Sequence, residues 1–212
     1  RRQRQMCIRD RPNAAARTLK TQRTGKILVT VPDIANPFFA QILQGAEDAA
    51  QAAGYAVLLG DTQQQPAREE RYAQMLRRNE ADGLIVLGHR LPPTARQIVK
   101  QLGAAAPVVN GCEFDPALGI PSVHIDNAAA ARAAMEHLYA LGHARIAVVG
   151  GPPDNPLHQQ RLQGVRAAAK ARGRVRQLRL VPGDFSVESG HAAASAWLGT
   201  DDAPTAAFCL SL

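Results

Sequence analysis

Aromatic residues are scarce in this chain and cysteines scarcer. Nine of its 212 residues are Phe, Tyr or Trp, while 46% are of hydrophobic type, so any core must be built from Ala, Val, Leu and Ile. The cysteines, Cys7, Cys112 and Cys209, are odd in number and far apart. That spacing argues against a disulfide framework and for a reducing compartment. Metal-ligand spacing is also missing, and the six histidines form no H-x-x-x-H pair, so neither a metal nor a cofactor is expected. No apolar run approaches a membrane span, and the N-terminal "RRQRQMCIRDRP" lacks the apolar stretch of a signal peptide. A cytoplasmic protein with no membrane partner is the expectation. No G-x-G-x-x-G follows the first apolar run, and there is no Walker A run or G-x-S-x-G elbow. Ser122, Ser186, Ser189 and Ser195 have no partner pattern that favours a nucleophile. No catalytic constellation supports an enzyme.

Positive charge is present, and it is unevenly placed. The net charge is +7, yet residues 1–26 hold nine Arg or Lys and one acid, Asp10, so that segment carries +8 and the remaining 186 residues sum to −1. A cationic arm on a neutral body is the footprint of a tail that meets a polyanion, more often nucleic acid than membrane. The plain alternative, a solvated terminus that binds nothing, stands beside it.

From Lys26 apolar runs alternate with helix patterns. Strands are predicted at 27–31, 55–60, 83–88, 107–110, 122–125, 145–151, 176–181 and 205–210. Between them, Asn36 and Pro37 open a helix that Gly54 stops, and further helices fall at 66–80, 93–102, 126–142, 157–173 and 187–199. This order predicts an α/β fold with a mostly parallel, doubly wound sheet. "GPPDNP" (151–156), with three prolines in six residues, is expected to be a crossover between lobes. The expected domains are 1–25, 26–152 and an incomplete lobe over 153–212.

Loops after the C-terminal ends of parallel strands are where open α/β sheets bind ligands. Those loops carry Phe38 and Phe39, then Asp126, and later Arg161 and Phe185. An aromatic pair, a carboxylate and a guanidinium suit a small polyhydroxylated ligand with an apolar face, such as a sugar or nucleoside. Each residue also has a structural reading. The two phenylalanines would be core, Asp126 a helix cap and Arg161 a surface residue.

Seven ordered stretches carry a family resemblance. They are "RPNAAARTLKTQRTGKI", "VPDIANPFFAQILQGAE", "GYAVLLGDTQQQPAREE", "ADGLIVLG", "SVHIDNAAAARAAMEHLYALGHARIAVVGG", "RLQGV" and "GDFSVESG". From about Arg11 to Cys209 the chain resembles LacI/GalR-family transcriptional regulators, above all the cytidine-repressor-like members. The resemblance implies a periplasmic-binding-protein-like fold of two lobes that close on an effector, and a homodimer that binds operator DNA. It implies that "PNAAARTLK" is a hinge helix in the minor groove. Leu19 would be its wedge between base steps, with Asn13, Ala16, Arg17 and Lys20 near groove or backbone. It also implies effector contacts from Phe38, Phe39, Asp126, Asn155, Arg161 and Phe185. The pattern departs at both ends: nothing before Arg11 resembles a helix-turn-helix headpiece, and "LSL" replaces the family's continuation after Cys209. A regulator core is thus the expectation, and a periplasmic solute-binding protein of a sugar or nucleoside transporter is the alternative.

Overall fold

The structure, a computed structural model, describes residues 23–113 and 115–211. The hinge positions Asn13, Ala16, Arg17, Leu19 and Lys20 lie outside the described residues. Strand β1 (Lys26–Val31) leads through α1 (Pro37–Ala52) to β2 (Ala56–Asp61), and α2 (Pro66–Arg77) leads on to β3 (Gly83–Val86). Next come α3 (Pro93–Leu102), β4 (Val108–Gly111) and the two-residue β5 (Ser122–Val123). The second half runs α4 (Asn127–Ala140), β6 (Ile146–Val149), α5 (Pro156–Ala171), β7 (Leu178–Val181), α6 (Val187–Trp197) and β8 (Ala206–Cys209). Two sheets form, ordered β2-β1-β3-β4-β5 and β7-β6-β8. Every neighbouring pair is parallel. Among the described residues no helix is long and apolar enough to cross a membrane.

Successive side chains on a strand point to opposite faces, and both faces of these sheets are covered. In the first sheet Leu28, Leu84 and Val108 pack with Ala73 and Leu76 of α2 and Ala95 of α3. Val29 and Val31 pack the other way, with Phe39 of α1 and Leu87. In the second, Ile146 and Val148 meet α4 and α5 through Met135 and Val165, while Ala147 and Val149 meet Ala193 and Trp197 of α6. Continuous apolar runs such as "ILVTV" and "IAVV" are what a strand buried on both faces requires.

The expected caps are in place. Asn36 Oδ1 accepts from the Phe38 N–H at 3.0 Å with Pro37 in the first turn, and Gly54 leaves the helix at φ +79°. The expected boundary at 152 and the expected lobe crossover at "GPPDNP" are corrected. Strand β6 pairs with β7 and β8, so it belongs to the second sheet. The chain therefore changes lobes between Val123 and Asn127, and residues 151–155 connect β6 to α5 inside the second lobe. Strand β5 also stops at Val123, two residues short of the predicted end. Apolar patterning locates a strand but does not say which sheet it joins.

Helices α4 and α5 cross closely because Gly164 has no side chain. A Cβ there would lie 2.1 Å from the Ala128 carbonyl oxygen and 3.0 Å from the Arg132 nitrogen. Backbone cannot yield to a methyl group, so Gly164→Ala should force the helices apart and cost about 1–3 kcal/mol. Chemical denaturation of the two proteins checks this.

Asp82, just before β3, fastens the segment that enters β1. Its Oδ1 accepts from the Thr24 N–H at 2.7 Å and the Thr24 hydroxyl at 2.9 Å, and its Oδ2 accepts from the Gly25 N–H at 2.8 Å. Burial pushes this carboxyl up, but the hydrogen bonds from Thr24 and Gly25 and the charge of Arg23 prevail and hold it below the usual value. A lowered folded pKa gives stability that is present above the unfolded value, about 3.9, and lost as pH falls through the folded one. Asp82→Asn should therefore cost about 1 kcal/mol at pH 7. The difference from the parent should shrink below about pH 4, as melting curves across pH 2.5–7 (roughly that window) would register.

Candidate functional site

The two lobes meet at a crevice between strand exits. The first lobe supplies the ends of β1 and β2 and the loops after β3 and β4, with Thr30, Thr62, His89 and Glu113 among the lining residues. The second lobe supplies Asn155 after β6 and Phe185 after β7. The partly open cavity there holds about 40 Å³, enough for a few solvent molecules. Small-molecule sites generally occupy ~300 Å³ or more, so a ligand of sugar or nucleoside size must part the lobes.

A polar cluster lines and backs the crevice. Asn110, buried on β4, donates from Nδ2 to the Val86 carbonyl at 3.2 Å and to the Gly88 carbonyl at 2.8 Å, fixing the exit of β3. His89 follows directly, its Nδ1 3.0 Å from Glu113 Oε2. Across the lobes Asn155 Nδ2 lies 3.3 Å from the same Nδ1. Asn155 is 4% exposed, and its Oδ1 accepts from the Leu157 N–H at 2.8 Å as the cap of α5. Arg161, about one and a half turns along α5, donates from Nε to Asn127 Oδ1 at 2.9 Å and from Nη1 to the Leu210 carbonyl. Burial lowers its pKa, opposed by the neighbouring Glu113 and Cys112. Burial, then Glu113, pushes the Cys112 thiol up to about 11, with Arg161 pulling the other way. A thiol with so high a pKa is a poor nucleophile near neutral pH.

Four non-glycine residues at the strand exits have left-handed backbone: Gln63 at φ +51° and Gln64 at φ +54° after β2, Cys112 at φ +70° after β4 and Phe185 at φ +69° after β7. Such strain persists only where surroundings over-determine it. Around Phe185 the reason is visible. Its ring fills the space a Cβ on Gly151 would need, with only 2.1 Å between them. Gly150 similarly faces the ring of His158, whose Nδ1 accepts from the Gly151 N–H at 2.9 Å. Burial, then the charge of Arg166, lowers the His158 pKa, as a ring that accepts at Nδ1 requires. Glycine at 150 and 151 thus lets two rings clamp the loop that carries Asn155.

The expected site residues fare differently. Asn155 and Phe185 line the crevice, and Arg161 sits behind it, near Glu113. Phe39 is taken by the core at 7% exposure, whereas Phe38 is 44% exposed, their rings edge-to-face at 5.3 Å. Asp126 is exposed and caps α4, accepting from the Ala129 N–H at 2.9 Å. His89 and Glu113 were missed by sequence reasoning. Their signal was position, since each falls within three residues of the end of a predicted parallel strand. The capping assignment of Asp126 predicts that Asp126→Ala costs about 1 kcal/mol, measurable as a lowered melting temperature.

Comparison with known proteins places this arrangement. The family model described as "Periplasmic binding proteins and sugar binding domain of LacI family" matches residues 24–211. The chain is 39% identical over 201 residues to the HTH-type transcriptional repressor CytR of Escherichia coli (strain K12), covering 94% of this chain and 58% of that protein. It is 32% identical over 200 residues to catabolite control protein A of Priestia megaterium, covering 93% of this chain and 60% of that protein. The chain thus spans less than two thirds of the length of these relatives. Among solved structures, the Cra transcriptional dual regulator from Pseudomonas putida in complex with fructose 1-phosphate superposes with a TM-score of 0.76 at 27% identity, covering 88% of this chain and 69% of that one.

Proposed function

Since this chain belongs to the family of periplasmic binding proteins and LacI-family sugar-binding domains, we propose that it is the effector-binding core of a bacterial DNA-binding transcriptional repressor. The observation that carries the proposal is the crevice lined from both lobes, with Asn155 and Phe185 facing His89 and Glu113. In the complete protein, a cytoplasmic homodimer, the effector binds one lobe arrangement better than the other. Binding then shifts the population of DNA-competent dimers by that difference in affinity. Phe38 and Phe185 supply apolar faces for a ring, while Asn155 and Asp126 supply polar contacts, Arg161 backs the site through its bonds to Asn127 and the Leu210 carbonyl, and Phe39 supports Phe38 from the core. The effector is a nucleoside or a sugar, a nucleoside being the first choice. A periplasmic solute-binding protein shares the fold, but the relatives are transcriptional regulators and do not favour it.

Titration calorimetry against cytidine, adenosine, hypoxanthine, ribose and galactose tests the effector. A nucleoside should bind, and tight binding to galactose alone would refute the first choice. The hinge assignment makes a separate prediction for the complete protein. Leu19→Ala should weaken operator binding about tenfold or more while effector affinity stays within a few-fold. Equal loss of both in binding assays would mean that Leu19 is not the wedge.

A further inference from the structure

The His89 ring has two nitrogens, and the two lobes satisfy one. Nδ1 lies 3.0 Å from Glu113 Oε2 and 3.3 Å from Asn155 Nδ2. Both contacts cannot be hydrogen bonds at once. The carboxylate only accepts and the amide nitrogen only donates, so the position of the ring proton decides between them. The amide cannot be turned round, because Asn155 Oδ1 already accepts from the Leu157 N–H. The carboxylate contact is shorter and charge-assisted, a class roughly twice as strong as a neutral hydrogen bond. The proton therefore sits on Nδ1 and is donated to Glu113. In the neutral ring that leaves Nε2 a bare lone pair, buried and without a partner among the described residues. The Asn155 amide hydrogens facing Nδ1 are left free to donate elsewhere.

The nearby cations are already committed. Arg90 Nη2 donates to the Gln64 carbonyl at 3.0 Å and pairs with Glu69 at 3.5 Å. Arg161 is held by Asn127 and the Leu210 carbonyl. What the crevice leaves open is an acceptor on one lobe and a donor on the other, beside two carboxylates.

Building on the effector reading above, we infer that His89 and Asn155 form a specificity-determining pair for an uncharged effector that presents an N–H or O–H donor next to an acceptor. The amino-bearing edge of a nucleobase meets that description, and so does a sugar hydroxyl; a phosphorylated ligand does not. A site built around a hydrogen bond rejects the analogue that lacks it, because its buried group is then left unpaired. Glu113 is the positioning residue, since its carboxylate fixes the tautomer.

Long-range ¹H–¹⁵N NMR on the ¹⁵N-labelled chain measures the tautomer directly, with His89→Phe assigning the signals. The expected spectrum has the proton on Nδ1 and a bare Nε2 whose resonance moves when ligand is added. A proton on Nε2 in the free chain would overturn the proposal. Calorimetry with cytidine, uridine, ribose and cytidine 5′-monophosphate distinguishes the two ligand chemistries. Either nucleoside, cytidine or uridine, favoured over ribose by about fivefold or more, with loss of that preference in His89→Phe and Glu113→Gln, assigns the pair to a base edge. Equal affinities for cytidine, uridine and ribose, with ribose also moving Nε2, assign it to a hydroxyl. Binding that leaves Nε2 unmoved, or tighter binding of the monophosphate, overturns the pair while the effector reading stands. No binding by any of the four, nor by adenosine, hypoxanthine or galactose, overturns both. Should His89→Phe fail to fold, the tautomer of the unsubstituted chain still decides.

Discussion

Strands that pair in parallel must all leave their sheet at the same edge, and their return connections cross over its faces. In this chain both sheets obey that constraint throughout. The consequence is spatial economy. Thr30, His89 and Glu113 are far apart in sequence, yet they share one edge because β1, β3 and β4 run in one direction. Asn155 and Phe185 share the corresponding edge of the second sheet. Apolar runs can then stay uninterrupted while polar chemistry collects in the short segments after them.

Much of this was legible in the sequence, for reasons that differ by element. The α1 start could be found because Asn36 and Pro37 act locally, through a cap and a preset φ. The apolar runs could be found because parallel strands are buried on both faces. Sheet membership could not, since β6 looks alike whichever sheet it joins. Phe38 and Phe39 could be placed at the start of α1, but which one the core takes depends on how α1 packs on β1. His89 and Glu113 belong to a pairing 24 residues apart in sequence, invisible to any motif. Their importance arises only when β3 and β4 lie side by side.

The crevice concentrates several local costs. Cys112 and Phe185 hold left-handed backbone, Asn155 spans from its own helix cap toward the other lobe, and Nε2 of His89 is buried without a partner among the described residues. They gather where the lobes touch, and the interior of each lobe is ordinary close-packed Ala, Val, Leu and Ile. A surface that is poorly satisfied when closed is one that a ligand can improve, and the closed cavity is too small to admit one without movement.

The three hydrogen bonds from Thr24 and Gly25 to Asp82 have a mechanical meaning as well. They make the start of β1 a rigid fitting on the first lobe, so the direction in which the chain leaves Thr24 turns with that lobe. A fixed mount converts rotation into displacement in proportion to distance, as a lever does. A tilt of a few degrees at the crevice, barely noticeable among packed side chains, would be magnified at the tip of anything carried on that mount.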